Sequence, residues 1–212
     1  MLLSSDEKEK LERGYQLLAG IDEVGRGPLA GPVVAAIVII KNFEIISLIE
    51  KEFKLDKIRD SKKILPKKRE RIFEYLKNNP MIEWGIGLAN VQEIDRINIL
   101  QATFLAWGRA IEKVSRPDFL FFDGRYGLPK LNISQQAIIK GDEKILVVSL
   151  ASIMAKVWRD RLMIKMSEKY PNFSFAQHKG YGTKKHLTEL TEFGPTEIHR
   201  FSFRPISKMN EK

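Results

Sequence analysis

The sequence predicts an α/β fold in which helices flank a central mixed β-sheet. Short apolar runs alternate with segments of helical periodicity, and consecutive apolar positions are typical of strands buried on both faces. The predicted strands cover residues 17–22, 33–40, 82–88 and 119–122. The predicted helices cover residues 66–78, 147–169 and a segment that opens at a capping box of Asn90 and Glu93 and runs to about Val114.

The composition indicates a polyanionic partner. The 212 residues include 36 Lys or Arg against 27 Asp or Glu, a formal net charge of +9, which most simply indicates nucleic acid. Residues 51–80 carry eleven of the basic residues and five of the acids. A solvated helix face is an alternative explanation for that run. The chain has no Cys, which excludes disulfides, thiolate zinc sites and a cysteine nucleophile.

The N-terminal residues and the apolar runs favour a soluble, cytoplasmic protein. Charged residues begin at Asp6, so the opening residues resemble neither a secretory signal nor a transit peptide. The uncharged stretches 27–40 and 145–155 are too short, or too interrupted by Gly and Pro, to span a bilayer. We therefore expect no membrane association.

Carboxylates follow two of the predicted strands. Asp22 and Glu23 end the first strand, and Asp123 ends the strand of residues 119–122. Ligands of α/β proteins gather at the carboxyl ends of strands, so these acids are candidates for a functional site. A single acid in such a place more often solvates a loop or caps a helix, and that alternative stays open for each.

Asp160 lies on the apolar stripe of a predicted helix. Ile153, Val157, Asp160 and Ile164 follow the spacing of a core-facing stripe. A buried carboxylate is costly unless it is paired or binds a metal ion. The alternative to a functional role is an ion pair with a neighbouring cation, for which the candidates are Lys156, Arg159 and Arg161.

Four acids that converge on one place indicate a site for divalent cations. Their mutual repulsion would destabilise the fold unless cations lay between them. Oxygen ligands alone suit Mg²⁺ or Mn²⁺ rather than zinc, and two such ions suit phosphodiester hydrolysis. The residues thus predict a metal-dependent nuclease. A binding module without catalytic activity is the alternative, although such a module gains nothing by placing carboxylates beside phosphates.

The turn after the first strand is rich in glycine. Residues 25–30 match the pattern G-x-G-x-x-G/A, and Glu44 lies at a suitable distance for the ribose-binding acid of a dinucleotide fold. That interpretation is disfavoured because Pro28, Gly31 and Pro32 interrupt any helix and a strand follows directly. The turn would nonetheless let a ligand approach its backbone closely.

These segments together resemble the ribonuclease HII family. The resemblance runs in order from residue 20 to residue 205, and its two long segments, 20–36 and 151–160, are the most specific. The motifs are GIDEVGRGPLAGPVVAA (20–36), DSKKI (60–64), NILQATFLA (98–106), FFDG (121–124), KGD (140–142), ASIMAKVWRD (151–160), HKGYGT (178–183) and HRFSF (199–203).

The resemblance implies a fold and an activity. The fold would be ribonuclease H-like, as a single catalytic domain of residues 1–212 with a core at about 16–170 and a small helical C-terminal portion at about 171–212. The activity would be cleavage of RNA in RNA–DNA hybrids and on the 5′ side of ribonucleotides embedded in duplex DNA. The products would carry 3′-hydroxyl and 5′-phosphate ends.

The resemblance also implies roles for individual residues. Two Mg²⁺ or Mn²⁺ ions would be bound by four carboxylates, those of Asp22, Glu23, Asp123 and Asp160. The substrate contacts would come from the turn of Gly25, Arg26 and Gly27, which would bind the 2′-hydroxyl, from Tyr181 against a sugar, and from Lys62 near the phosphates. Because neighbouring strand residues point to opposite faces, Asp22 and Glu23 can both face the ions only if the chain turns there.

Some positions depart from the family pattern or carry no assigned role. Ile145 stands where a serine is common, and we expect little consequence. The C-terminal residues show no sliding-clamp motif, so we expect a monomer without clamp tethering. We expect His178 to be solvated and His199 to be structural.

Overall fold

The computed structural model describes residues 3–53 and 64–209. These residues form a five-stranded sheet in the order β3-β2-β1-β4-β5, with helices on both faces. The strands are β1 (Leu18–Val24), β2 (Val33–Ile40), β3 (Ile82–Ala89), β4 (Phe119–Asp123) and β5 (Ser134–Ile138). The helices are α1 (Ser5–Glu12), α2 (Ile45–Phe53), α3 (Pro66–Lys77), α4 (Val91–Ile111), α5 (Gly141–Lys144), α6 (Leu146–Lys169), α7 (Phe175–His178), α8 (Lys184–Phe193) and α9 (Ile206–Met209).

The sheet is mixed, as the sequence predicts. β1 lies at its centre, antiparallel to β2 and parallel to β4, so that Ile21 is aligned with both Ile37 and Phe122. All eight residues of β2 are buried, which explains its unbroken apolar sequence. The predicted α/β class and the helical C-terminal portion, represented by α7, α8 and α9, are confirmed.

The two faces of β1 are covered by different helices. Leu18 packs in the cluster that includes α2, α3 and α6, whereas Ala19 and Ile21 pack in the cluster that includes α4. α6 lies directly against the strand at Gly20, where a Cβ atom would stand 2.3 Å from the carbonyl carbon of Val147. Because side chains alternate along a strand, the even-numbered residues of β1 point toward α6 and the odd-numbered residues point toward α4. Among the described residues, no helix has the length and apolarity needed to cross a membrane.

α4 differs from the single predicted helix. Its capping box is present, with Asn90 and Glu93 each accepting from the other's backbone N–H at 2.9 Å. The helix is interrupted at Asn98, whose φ of 66° and ψ of 166° are not helical. The Asn98 carboxamide accepts from the N–H groups of Leu100 and Gln101 and thereby caps the second segment. Asparagine tolerates a positive φ better than most residues, so periodicity alone does not reveal the break.

Glu7 on α1 caps the long helix α6. The residue before that helix, Ile145, has no side-chain acceptor, and the Glu7 carboxylate accepts from the N–H groups of Leu146 and Val147, each at 3.1 Å. Burial raises the pKa of Glu7, and the N–H donors that contact it act in the opposite direction. A serine at position 145 could cap α6 with its own hydroxyl group. In this chain the Glu7 carboxylate of α1 caps the helix instead.

Two buried arginines join the C-terminal portion and α6 to the turn between β1 and β2. Arg200 donates to the carbonyls of three turn residues, and Arg159 donates to two turn carbonyls and to one beyond α7. The acceptors of Arg200 are Gly25, Arg26 and Gly31, and those of Arg159 are Ala30, Pro32 and Lys179. Burial lowers the pKa of Arg159 to about 10 and that of Arg200 to about 9, so both remain charged at neutral pH.

Replacement of Glu7 by alanine should destabilise the protein. The change Glu7→Ala leaves the buried N–H groups of Leu146 and Val147 without their acceptor, so we expect a loss of about 2 to 4 kcal/mol in the free energy of unfolding. Urea denaturation measures it. Glu12→Ala is the control, because Glu12 is exposed at the end of the same helix, and it should change stability by less than about 0.5 kcal/mol. Equal effects of the two changes would contradict the capping role.

Replacement of Arg200 by lysine should also be costly. Lysine cannot reach the three carbonyls that one guanidinium binds, so we expect Arg200→Lys to lower the free energy of unfolding by about 3 to 5 kcal/mol. The same substitution at Arg71, whose ion pair with Glu52 is exposed, should have an effect below about 0.5 kcal/mol. Thermal and urea denaturation of both variants check this. A stability of Arg200→Lys within error of the parent chain would show that the turn does not depend on the guanidinium.

Candidate active site

Asp22 and Asp123 lie side by side at the carboxyl ends of two parallel strands. Ile21 is aligned with Phe122, so the residues that follow are neighbours across the sheet. Both acids point toward α6, because Asp22 alternates with Leu18 and Asp123 alternates with Phe121 on that face. The Asp123 carboxylate accepts from the N–H of Gly141 at 2.7 Å. The strand ends thus bring two of the predicted acids together.

Asp22 is the most deeply buried acid of this group. Only 6 % of the residue is exposed. Its carboxylate accepts from the N–H of Glu23 at 2.7 Å and is hydrogen-bonded by Ser152 of α6. Burial raises the pKa of Asp22 well above its usual range, and the negative charges of Glu23, Asp123 and Asp142 raise it further. A cation at this place would relieve both the burial and the repulsion.

Glu23 points to the opposite face of the sheet. β1 continues to Val24, so the turn that would let Asp22 and Glu23 face the same way is not present. Glu23 instead accepts from the indole N–H of Trp107 at 3.1 Å and from Arg26 at 3.2 Å. Burial raises the pKa of Glu23, while Arg26 lowers it. The Glu23 carboxylate is therefore hydrogen-bonded to Trp107 and Arg26 on the face of the sheet away from Asp22.

Asp160 is paired with Lys156. The Lys156 ammonium lies 2.8 Å from the Asp160 carboxylate, so the predicted ion-pair alternative is present. The predicted core-facing stripe is wrong at its far end, because the Asp160 side chain is 21 % exposed and Ile164 is 45 % exposed. Asp160 and Ile164 line a cavity that α6 forms with α3 and Lys179, so this face of the helix is partly open to solvent. Within residues 3–53 and 64–209, no three Asp, Glu, His or Cys side chains are close enough to share a metal ion.

The glycine turn has the open backbone that the sequence predicts. Gly25 has a φ of +93°, and a Cβ atom there would lie 2.3 Å from Arg159 Nε. At Gly27 a Cβ atom would have no neighbour within 4 Å, so the backbone is accessible to a ligand. A strand follows this turn directly, and the dinucleotide-binding interpretation is wrong because that fold needs a helix there. Arg26, the middle residue, is half exposed beside Glu23.

Tyr181 lies next to this turn with its ring exposed. The residue is 40 % exposed, and Arg159 lies 6.0 Å from the ring centroid. The preceding Gly180 accepts from the N–H of Leu29 at 2.8 Å, which joins the two segments. The ring of Tyr181 therefore does not pack in the core. Lys62, the remaining predicted substrate contact, falls outside the described residues.

Basic residues line a cavity beside Asp160. The cavity has a volume of about 420 Å³ and includes Lys67 and Arg69 of α3, Arg161 of α6 and Lys179. Burial lowers the pKa of Lys179, whereas Asp160 raises it. Some of the basic residues behind the net positive charge of the chain thus lie at one side of the candidate site. Phosphate groups are the ligands that such a surface suits.

Several residues of the site have no signal in a single sequence. Ser152 and Trp107 hydrogen-bond to Asp22 and Glu23 across long chain separations. Asp142 belongs to the KGD motif but only the structure shows its electrostatic effect on Asp22. His178 is 7 % exposed, so the expectation that it is solvated is wrong. His199 is fully buried, as expected of a structural histidine.

Comparison with known proteins agrees with this architecture. The family model described as Ribonuclease HII matches residues 19–206. A ribonuclease HII of Caldicellulosiruptor bescii is 47 % identical over 210 residues, covering 96 % of this chain and 97 % of the relative. The crystal structure of ribonuclease H2 from Pyrococcus horikoshii OT3 is 27 % identical with a TM-score of 0.72, covering 92 % of this chain and 97 % of that one.

A more distant structure shares the fold. The crystal structure of Bst-RNase HIII in complex with Mn²⁺ has a TM-score of 0.68 at 14 % identity, covering 93 % of this chain and 70 % of that one. Identity this low supports the fold alone. The family match, by contrast, spans most of the chain and includes every described residue of the candidate site. The chain therefore belongs to the ribonuclease HII family and is a nuclease.

Proposed function

We propose that this protein hydrolyses the RNA strand of RNA–DNA hybrids and nicks duplex DNA on the 5′ side of embedded ribonucleotides. The products would be 3′-hydroxyl and 5′-phosphate ends, and two Mg²⁺ or Mn²⁺ ions would be required. The proposal is supported mainly by the pair of Asp22 and Asp123 beside the open glycine turn. It also includes a single catalytic domain of residues 1–212 that acts as a cytoplasmic monomer.

The donor set at the strand ends fits a hard divalent cation. Asp22 and Asp123 offer oxygen atoms on one face, and the raised pKa of Asp22 reflects burial and like charge that a cation would offset. Two such ions supply activation of a water molecule and stabilisation of the leaving 3′ oxygen. Asp160 stays a predicted member of the same set. Its carboxylate is paired with Lys156, and the acids whose charges raise the pKa of Asp22 are Glu23, Asp123 and Asp142. Glu23 would contribute through its backbone carbonyl, since its side chain points to Trp107.

The substrate contacts follow from the surroundings of these acids. The 2′-hydroxyl distinguishes RNA from DNA, and we propose that the turn of Gly25, Arg26 and Gly27 binds it. Gly25 is buried, so the exposed backbone at Arg26 and Gly27 would make the close approach. Tyr181 offers an exposed ring to the neighbouring sugar. Lys62 and the basic cavity beside Asp160 would neutralise phosphates. A binding module without catalytic activity would need the basic surface but not the paired acids.

The first test removes one carboxylate. Asp123→Asn keeps an oxygen that can accept from Gly141 but loses the charge, so we expect kcat to fall about a thousandfold. A duplex with one ribonucleotide, incubated with Mg²⁺ or Mn²⁺, measures it. Hybrid binding in Ca²⁺ should be retained or improved, because one negative charge beside the phosphates is gone. The exposed Glu192 on α8 provides the control Glu192→Gln, which should leave kcat unchanged.

Two outcomes would contradict this assignment. Near-parental turnover of Asp123→Asn would remove Asp123 from the metal site. No nick by the parent protein with either metal would overturn the enzymatic function and favour the binding module.

The second test concerns Tyr181. Tyr181→Ala removes the exposed ring, so we expect kcat/KM to fall about tenfold or more on a duplex with a single RNA-to-DNA junction, and less on a long hybrid. Tyr181→Phe keeps the ring and should stay within about twofold of the parent, because stacking does not need the hydroxyl. Equal losses of Tyr181→Ala on both substrates would indicate general destabilisation instead of junction recognition.

A further inference from the structure

All three histidines of the chain form one buried cluster beneath Tyr181. His178 and His186 stack with ring centroids 4.2 Å apart and an interplanar angle of 12°. His186 Nε2 lies 3.0 Å from Nε2 of His199. None of these side chains has a place in the reaction proposed above, and the sequence assigns no role to His186.

The hydrogen bonds fix the tautomers of His199 and His186. His199 Nδ1 accepts from the N–H of Thr196 at 2.8 Å, so the proton of the neutral ring is on Nε2. That Nε2–H must donate to His186 Nε2, which places the His186 proton on Nδ1. His186 Nδ1–H then donates to the carbonyl of Tyr181 at 3.0 Å, and the same carbonyl accepts from the N–H of Thr183 at 2.7 Å. Burial lowers the pKa of His199 to about 4, which keeps its ring neutral.

His178 holds the other side of the same backbone segment. Its Nδ1 accepts from the N–H of Gly180 at 3.1 Å, so its Nε2–H donates to Glu189 at 2.9 Å. The carbonyl of Gly180 accepts from Leu29 of the β1–β2 turn. The His178 ring therefore holds the peptide group between Lys179 and Gly180. The next peptide group, before Tyr181, is held at its carbonyl by Leu29 and at its N–H by the backbone carbonyl of His178. The peptide group after Tyr181 is held at its carbonyl by His186.

We propose that His186 is a positioning residue for Tyr181. His199 and Thr196 orient the His186 ring, whose Nδ1–H fixes the Tyr181 carbonyl and so presents the exposed tyrosine ring to nucleic acid. The proposal rests on the substrate contact of Tyr181 in the proposed function. Gly180 and Gly182 flank the tyrosine, and glycines give a backbone many accessible conformations. Anchoring the Tyr181 carbonyl in the free protein lowers the conformational entropy that this segment would lose when it binds substrate.

A double-mutant cycle tests this positioning role. His186→Leu should raise KM for a duplex with one ribonucleotide about tenfold while kcat stays within about twofold. In the Tyr181→Ala background the same substitution should change KM by less than about twofold, because the ring that His186 positions is absent. His186→Asn, which restores a donor near the Nδ1 position, should recover most of the loss.

Leu190→Ala is the matched control for destabilisation. Leu190 lies one turn after His186 on α8 and packs with Phe173 and Phe175 in the same part of the protein. This control should lower the melting temperature and leave KM unchanged in both backgrounds. If His186→Leu raised KM by the same factor with and without Tyr181, the proposal alone would be overturned. If Tyr181→Ala by itself left kcat/KM unchanged, both the substrate contact and this proposal would fail.

The imidazole tautomers give a readout that does not depend on activity. Nitrogen-15 NMR of the histidine rings at neutral pH should show His186 protonated on Nδ1 and His199 protonated on Nε2. A reversed or mixed tautomer at either ring would overturn the proposal, whatever the kinetics.

Discussion

The arrangement of the candidate site depends on two buried guanidinium groups that bind backbone carbonyls. Arg159 and Arg200 are fully buried, and their hydrogen-bond acceptors are carbonyls of the β1–β2 turn and of Lys179. Removing two charges from water costs several kcal/mol each, and this geometry offsets the cost with charge-assisted hydrogen bonds. As a result, the glycine turn, α6 and the C-terminal portion are held as one unit. Together with the hydrogen bond from Leu29 to Gly180, that unit fixes the position of Tyr181 relative to the acids at the strand ends.

The acids at the strand ends, unlike the two arginines, lie close to groups of the same charge. Asp22 is buried among other carboxylates, and burial and repulsion both raise its pKa. Asp160 is compensated by Lys156, and Glu23 by Arg26 and Trp107. Asp22 and Asp123 lie together on the α6 face, and the charge of Asp142 also acts on Asp22, so the place beside Asp22 suits a cation best. Placing these carboxylates together lowers the stability of the fold, and a bound cation would offset that loss and supply the catalytic chemistry.

Much of the fold could be predicted from single-residue patterns, whereas the contacts between distant segments could not. The strands of residues 33–40 and 119–122 are apolar on both faces, so their burial is visible in the sequence. The break at Asn98 and the cap from Glu7 depend on one side chain each and leave no periodic signal. Strand ends and motif resemblance together locate Asp22 and Asp123. The pairing of Asp160 with Lys156 is one of three ion pairs that helical spacing allows, whereas the orientation of His186 becomes visible only in the folded chain.

A crystal structure of the protein with Ca²⁺ and a duplex that contains one RNA-to-DNA junction would locate both the cation and the substrate. We expect a cation bound by carboxylate oxygens of Asp22 and Asp123, the 2′-hydroxyl against the backbone of residues 25–27, and the Tyr181 ring against the neighbouring sugar. A duplex bound on another face of the protein, or a cation that avoids Asp22 and Asp123, would contradict this expectation.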